Sequence, residues 1–345
     1  LPVAQVNPGS DLTFCIDNLS NRTYSLTSSQ TGNSYNWIIA GGVITAGQGT
    51  GAVTVDWQIQ AQHLLKAVPV SAFGCTGDTV SFPLIYDATQ LALIAAGRDE
   101  ADESKMLVHY QVKNAAAYPS ATVTIEEKEQ SQWQGIGNSS INNSSFTTSA
   151  KDAAVSYRVS GANSCQTALL SDVHRPVWLK AAGNEQTAEV KLSWSAYSGW
   201  GNGTGYQVWQ QLEGQPYQLI ATTTDTAVTL TTGRQGFEHR YRIRAINSGK
   251  ESWSNSRQLL FRNPLVFYTI ITPNNDGKND AFTVENLHLY PNAQLKVYSR
   301  WGQKVYESSN YDNSWKADGL SSGTYFYLFT TKEGLQHKGW VDVVR

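Results

Sequence analysis

An all-β chain of tandem sandwiches is what this sequence predicts, and three observations predict it. Short runs rich in Val, Ile, Thr, Tyr and Trp recur along the 345 residues, separated by clusters of Gly, Asn and Ser. That is the spacing of strands and turns in consecutive β-sandwiches. Long amphipathic stretches with helical period are missing. Within the runs, apolar residues tend to alternate with polar ones, as in strands with one buried face.

Composition narrows the function classes. Only 16 % of residues are charged and the formal net charge is −2, which is a poor footprint for a nucleic-acid partner. No apolar run approaches the length of a membrane span.

Residues 1–84 read as the first sandwich. Its expected strands are Phe14-Cys15-Ile16, Tyr35–Ile39, Gly51–Trp57, Leu64–Val70 and Thr79–Leu84, with a turn at Gly41-Gly42. The order Cys15, Trp37, Cys75 is the immunoglobulin-like pattern of two cysteines with a Trp packed on their bridge. Tyr35-Asn36-Trp37, the Gly41-Gly42 turn and Val53-Thr54-Val55-Asp56-Trp57 also resemble PKD-like domains of bacterial surface proteins. A Cys15–Cys75 disulfide suits an oxidising compartment, and closing a loop of about 60 residues is worth roughly 4 kcal/mol in the chain-entropy model. Two buried thiols are the alternative. Cys165 is then the odd cysteine, either a free, partly buried thiol or a partner for Cys75 across modules.

Residues 85–175 read as a second sandwich, a divergent fibronectin III-like copy. Leu91–Ala96, Met106–Val112, Ala121–Glu126 and Val155–Val159 are its strands. The stretch from Gly135 to Ser149 is polar and low in complexity, which predicts a loop with a short edge strand near Phe146.

Residues 176–262 give the clearest module. Val190–Trp194, Tyr206–Gln210, Ala227–Leu230 and His239–Ala245 resemble the second, third, fifth and sixth strands of a fibronectin type III domain, on Trp194, Tyr206, Leu230 and Tyr241. Period two places Tyr241, Ile243 and Ala245 on one face and Arg240, Arg242 and Arg244 on the other, where Trp209 and Trp253 are expected to stack on the arginines. Trp200, in the glycine-rich stretch Ser198–Gly205, is either a platform for a sugar or partner, or folds over a module junction. Arg262-Asn263-Pro264 reads as the linker.

The last 81 residues carry the most specific pattern. The apolar run Leu265–Ile271 leads into Thr272-Pro273-Asn274-Asn275-Asp276-Gly277-Lys278-Asn279-Asp280, a turn-rich loop. There follow Ser299-Arg300-Trp301-Gly302, Asn313-Ser314-Trp315, Gly323-Thr324-Tyr325 and a terminal Lys338-Gly339-Trp340 segment ending at Arg345. This order resembles the gliding-motility-associated C-terminal domain, the type B sorting signal of type IX secretion substrates in Bacteroidota. Asn275 stands where the family often has Gly, Ser299 where it often has Asn, and Trp315–Gly319 lengthens a tighter turn. The resemblance implies export to the cell surface, handling by the type IX translocon and a dedicated outer-membrane β-barrel of the PorP/SprF type. It also implies a signal peptide ahead of Leu1, removed or omitted from this sequence. Asp78-Thr79-Val80 and Asp225-Thr226-Ala227 fit the O-glycosylation pattern of such bacteria.

Candidates for chemistry are sparse. The six histidines are scattered and no Cys-x-x-Cys occurs, which argues against zinc. Gly137–Ile141 lacks the second Gly of a nucleophile elbow. The acidic groups Asp99-Glu100, Asp102-Glu103 and Glu126-Glu127 with Glu129 read as solvated edges. Asn274, Asp276, Asn279 and Asp280 have the oxygen density calcium favours but fail the EF-hand spacing, so a metal-free loop is the preferred reading and calcium the only cofactor weighed. The expected function is a non-catalytic surface protein, its modules an adhesive or structural stalk. A carbohydrate- or substrate-binding accessory subunit, with surface glycans or proteins as partners, is the alternative, as is the C-terminal part of a larger adhesin.

Overall fold

The computed structural model describes every residue except Leu1, Pro8, Ser28, Gln30, Gln60, Ala61, 115–121 and Ala153. Among the described residues there is no α-helix, only strands and two single-turn 3₁₀ segments. Ala121, expected to open a strand, lies outside the described residues; that strand is Thr122–Lys128.

The chain divides into two compact units, and the division falls within residues 178–256. One unit holds Leu1–Trp178, Ser195–Tyr206 and Ile243–Asn255. The other holds Leu179–Trp194, Gln207–Arg242 and Ser256–Arg345.

In the first unit, one sheet orders Arg22–Ser25, Ala52–Trp57 and Gly42–Ala46, and another orders Ser34–Ala40, Leu64–Val70 and Val80–Ser81. Alternation is strict in Ala52–Trp57, where Val53, Val55 and Trp57 are buried. Trp57 stacks on Phe14 and its indole N–H donates to Tyr24 Oη at 2.8 Å. The expected strand 79–84 shrinks to Val80–Ser81. The strand Ile85–Asp87, just past the expected module edge, pairs in parallel with Thr13–Cys15.

The disulfide differs from the expected Cys15–Cys75 pair. Cys15 is bonded to Cys165, 150 residues away, and Cys75 is a free, exposed thiol. Cys75 belongs to a surface turn in which Gly74 N–H and Ser71 N–H bond to Ser71 and Cys75 carbonyls at 2.9 Å. Cys15 is fully buried at a strand end beside Asp87. The turn Asn163–Thr167 delivers Cys165 there, with Asn163 Oδ1 accepting from Cys165 N and Thr167 N. Ser164 N and Oγ both donate to Asp87 Oδ2 at 2.7 Å. Trp37 keeps its place in the core, tilted against Phe82 instead of a bridge, with Nε1–H donating to Thr50 O.

A second sandwich in this unit has the sheet Gln134–Ser140, Thr122–Lys128, Ser156–Ala162 and Ala168–Leu170. Facing it, Ser145–Ser149, Lys105–Lys113 and Gln90–Arg98 are hydrogen-bonded in that order, burying Leu93, Val108, Tyr110, Ile125, Tyr157 and Val159 between the sheets. The edge strand at Phe146 forms as expected. Gln134–Ser140, expected to be loop, is a strand: it sits at a sheet edge, where glycines and small polar residues can pair without packing. Lys250–Trp253 joins this sheet through Trp253 and Arg98.

In the second unit, Leu179–Asn184, Glu189–Trp194 and Ala227–Leu230 form one sheet. The strand Glu238–Asn247 runs from this unit into the first, and its Tyr241 here and Ile243 and Ala245 there are fully buried, as period two predicts. Arg242 lies over Tyr217, and in the first unit Arg244 lies over Trp253.

Residues 265–345 close a small domain. A five-stranded sheet runs Ile270–Ile271, Gln336–Val343, Gly323–Thr330, Gln294–Tyr298, Lys304–Ser308, with its first pair parallel. Val266–Phe267 pairs with Val284–Glu285.

Candidate functional site

The C-terminal domain is built on aromatic packing. Phe282 is fully buried among Tyr311, Trp315 and Tyr327, with ring centroids 6.4, 6.2 and 4.9 Å away. Its backbone is held on both sides: Phe282 N–H donates to Trp315 O at 2.9 Å, and Tyr311 Oη–H donates to Phe282 O. Burial pushes the Tyr311 phenol up, so it stays a neutral donor. Eighty residues is near the lower limit for an independent core, and large aromatic side chains offset that limit.

The Thr272–Asp280 loop spends its side-chain oxygens on its own backbone. Asp280 accepts from Asn275 N at 2.6 Å and Gly277 N at 2.8 Å. Asn274 Oδ1 accepts from Asp276 N, and Asp276 Oδ1 from Lys278 N. Asn275, Gly277 and Asn279 all have positive φ, at 62°, 84° and 53°. Asn275 can hold this backbone as a glycine would, since Asn tolerates the left-handed region. Pro273 enters this turn after Thr272, whose N–H donates to Asn279 O. Among the described residues, no group of three or more His, Cys, Asp or Glu is placed to hold a metal.

The other motif positions have distinct physical roles. Gly339 faces Tyr327 across the sheet, and a Cβ there would lie 2.5 Å from the Tyr327 hydroxyl. Tyr325 is buried, and its hydroxyl donates to Ser321 O beside Gly323, which has φ of 151°. Arg345 ties down the end of the chain: its guanidinium donates to Ala317 O at 2.8 Å and Leu320 O at 3.2 Å. Trp301 is 81 % exposed at the tip of the Ser299–Gln303 turn, beneath the Arg300 guanidinium. Gly302 closes that turn with its N–H on Ser299 O.

A row that motif reading passes over lies on the outer face of the five-stranded sheet. Tyr298 pairs with Phe326, and Phe326 with Trp340. The alternation in Gly323–Thr330 and Gln336–Val343 could have revealed it, since Phe326 lies between buried Tyr325 and Tyr327, and Trp340 beside buried Val341.

Among the upstream candidates, Trp200 is partly buried. Its indole stacks on Tyr197 at 3.7 Å, and Nε1–H donates to Ile94 O at 2.7 Å. Tyr197 Oη accepts from Ala96 N–H and meets His174 Nδ1 at 2.8 Å. Gly199 makes this approach feasible, because a Cβ there would sit 2.3 Å from the His174 ring. Burial pushes the His174 imidazole down to about 4, keeping it neutral and able to accept from Tyr197. Thr79 and Thr226 are both exposed. The acidic groups sit largely in ion pairs and turns: Glu126 meets Arg158 at 2.5 Å, Lys151 meets Glu127 and Glu129, and Asp102 is held at about 2 by the Ser104 hydroxyl and Lys105.

Residues 265–343 match the family model of the CHU_C type IX secretion signal domain. Residues 178–256 match that of the PBP1-like, fibronectin3-like domain. No curated protein matches the sequence. Solved structures similar to it include domains A168–A170 of titin, at 15 % identity over 74 % of this chain and 97 % of that one, with a TM-score of 0.22. Another is a Ca²⁺-stabilised adhesin with which an Antarctic bacterium reaches out and binds ice, at 12 % identity over 99 % of each chain, with a TM-score of 0.27. At such TM-scores neither likeness carries an argument.

Proposed function

We infer that a type IX secretion signal at residues 265–343, behind a fibronectin-like β module at 178–256, marks this chain for export across the outer membrane to the cell surface. We propose that it is a non-catalytic surface protein whose modules form an adhesive or structural stalk, and that its C-terminal domain is read in folded form. A dedicated outer-membrane β-barrel of the PorP/SprF type is the proposed partner in export and retention, alongside the type IX translocon. The observation that carries this reading is the match of the signal family to a closed domain with its own aromatic core, whose last strand and Arg345 are integral parts. The packing of Trp200 against Tyr197 and Ile94 supports the stalk over a sugar-binding accessory role, because the ring helps hold a junction. Thr79 and Thr226, both exposed, are proposed as O-glycan acceptors; an intact mass equal to the bare polypeptide in protein from a type IX host would refute this.

The test is export itself. In a host with the type IX system, the chain truncated before Lys338 loses most of Gln336–Val343 and the Arg345 clasp and should stay in the periplasm. Surface delivery of the truncated chain at the full-length level would refute the reading.

A further inference from the structure

Three aromatic side chains on the outer face of the C-terminal sheet lie outside the domain's core. Tyr298, Phe326 and Trp340 sit on three adjacent strands in register, so their side chains form a row about 10 Å long at ordinary strand spacing. Phe326 is 48 % and Trp340 53 % exposed. The domain's core forms on the other face, where Leu295, Val297, Tyr325, Tyr327, Phe329, Val341 and Val343 are buried. With Leu328 and Lys338, the row borders a shallow groove of about 570 Å³. Contiguous exposed apolar surface of this kind marks an interaction site.

Among the described residues, the upstream module does not account for it. That module reaches the domain through Glu285, His288 and Tyr290, none of them on the five-stranded sheet.

The rim says what chemistry would fit. Lys296 and Lys338 flank Leu328 in the neighbouring row, Lys304 pairs with Tyr298, and Arg300 follows Tyr298 by two residues. Against these four cations stand Glu307, already engaged by Lys296 and Lys304, and Asp342, which accepts from Thr324 Oγ1. An apolar centre inside a net basic rim complements a partner surface with apolar residues inside an acidic one.

We propose that the Tyr298–Phe326–Trp340 row, with Lys338 and the Arg300-Trp301 tip at its rim, is the face by which the folded domain docks on an acidic, apolar-centred protein surface of the secretion machinery. This rests on the reading of residues 265–345 as a secretion signal and assigns that signal its contact surface.

The experiment uses the full chain in a type IX host and reads the protease-accessible fraction on intact cells. Phe326→Thr/Trp340→Thr removes the row while keeping strand-compatible side chains. It should lower surface delivery by about tenfold or more, the scale expected when central aromatic anchors are lost. Lys338→Glu reverses one rim charge on a solvated position and should lower delivery about threefold. Gln294→Thr, on the same strand as Tyr298 but away from the row, should be delivered like wild type. Retained variants should resist limited proteolysis as wild type does; if the aromatic double variant does not, Lys338→Glu decides alone. Delivery of both variants within about twofold of wild type overturns the docking face, even if they then lose binding to a surface polysaccharide, which would reassign the row to sugar. Failure of the signal reading is a separate result: the chain truncated before Lys338 would reach the surface.

Discussion

Two junctions in this protein are built on opposite plans. Where the first sandwich meets the second, the contact is covalent and buried: Cys15 is fully buried and bonded to Cys165, and Asp87, also buried, accepts two bonds from Ser164. Where the third sandwich meets the C-terminal domain, the contacts are noncovalent: the linker residue Asn263 is buried and donates to Gly233 O and Gly236 O at 2.8 Å, while the charged contacts are largely exposed. Arg234 and Glu285 pair at 3.3 Å with both side chains more than a third exposed, His288 bonds Arg234 O at 3.0 Å, and Tyr290 packs edge-on against Phe237. The upstream modules are locked covalently, whereas the exposed ion pair at the C-terminal junction is of a kind worth little by itself. A signal that must be handled by other proteins gains from that separation.

The covalent junction should give the largest effect. Cys15→Ser should destabilise the protein by about 5 kcal/mol in the chain-entropy model for a bridge between residues 150 apart. Denaturant unfolding monitored by Trp fluorescence reads this loss. Cys75→Ser, at the exposed turn, should stay within about 0.5 kcal/mol of wild type. Equal effects of the two substitutions would erase the distinction.

The noncovalent interior junction comes next. Trp200→Ala removes the stack on Tyr197 and the bond to Ile94 O from a partly buried ring, and should cost about 2 kcal/mol, less than a fully buried Trp truncation. His174, in the same cluster, adds a pH dependence. Its folded value is depressed to about 4 from 6.5, so the unfolded chain binds the proton more readily. Its contribution is complete above pH 6.5 and is lost as pH falls toward 4. His174→Gln should flatten that part of the stability profile, measured as melting temperature against pH.

The exposed ion pair at the C-terminal junction should give the smallest effect. Arg234→Ala/Glu285→Ala should change stability by no more than about 1 kcal/mol. A loss of several kcal/mol, by the same denaturant titration, would mean that the signal is locked to the passenger after all.

What the sequence discloses follows the range of the interactions. Alternation exposed the strands Ala52–Trp57 and Glu238–Asn247, and turn chemistry exposed the Thr272–Asp280 loop, because both are local. Gln134–Ser140 was hidden because its inward positions carry Ile136 and the small polar Ser139 among Gly and Asn, too little apolar contrast to print a period. The disulfide was misread for a different reason. Cys75 has the ordinary sequence distance for a bridge within one sandwich, but the true partner arrives on the Asn163–Thr167 turn of another, held by Asp87. Nothing in the chain between residues 15 and 165 encodes that meeting in a short motif. The aromatic row was legible as alternation but not as a site, since register across three strands decides whether Tyr298, Phe326 and Trp340 align.

The contrast between a locked passenger and a loosely attached signal is tested most directly on protein that has already been exported. Cells of a type IX host are treated with an alkylating agent, the surface-exposed protein is released, and its peptides are mapped without reduction. The account predicts a peptide linking Cys15 to Cys165 and an alkylated Cys75, the pattern of a passenger clamped before it crossed the outer membrane. Recovery of a Cys15–Cys75 linkage, or of three alkylated cysteines in surface protein, would contradict it.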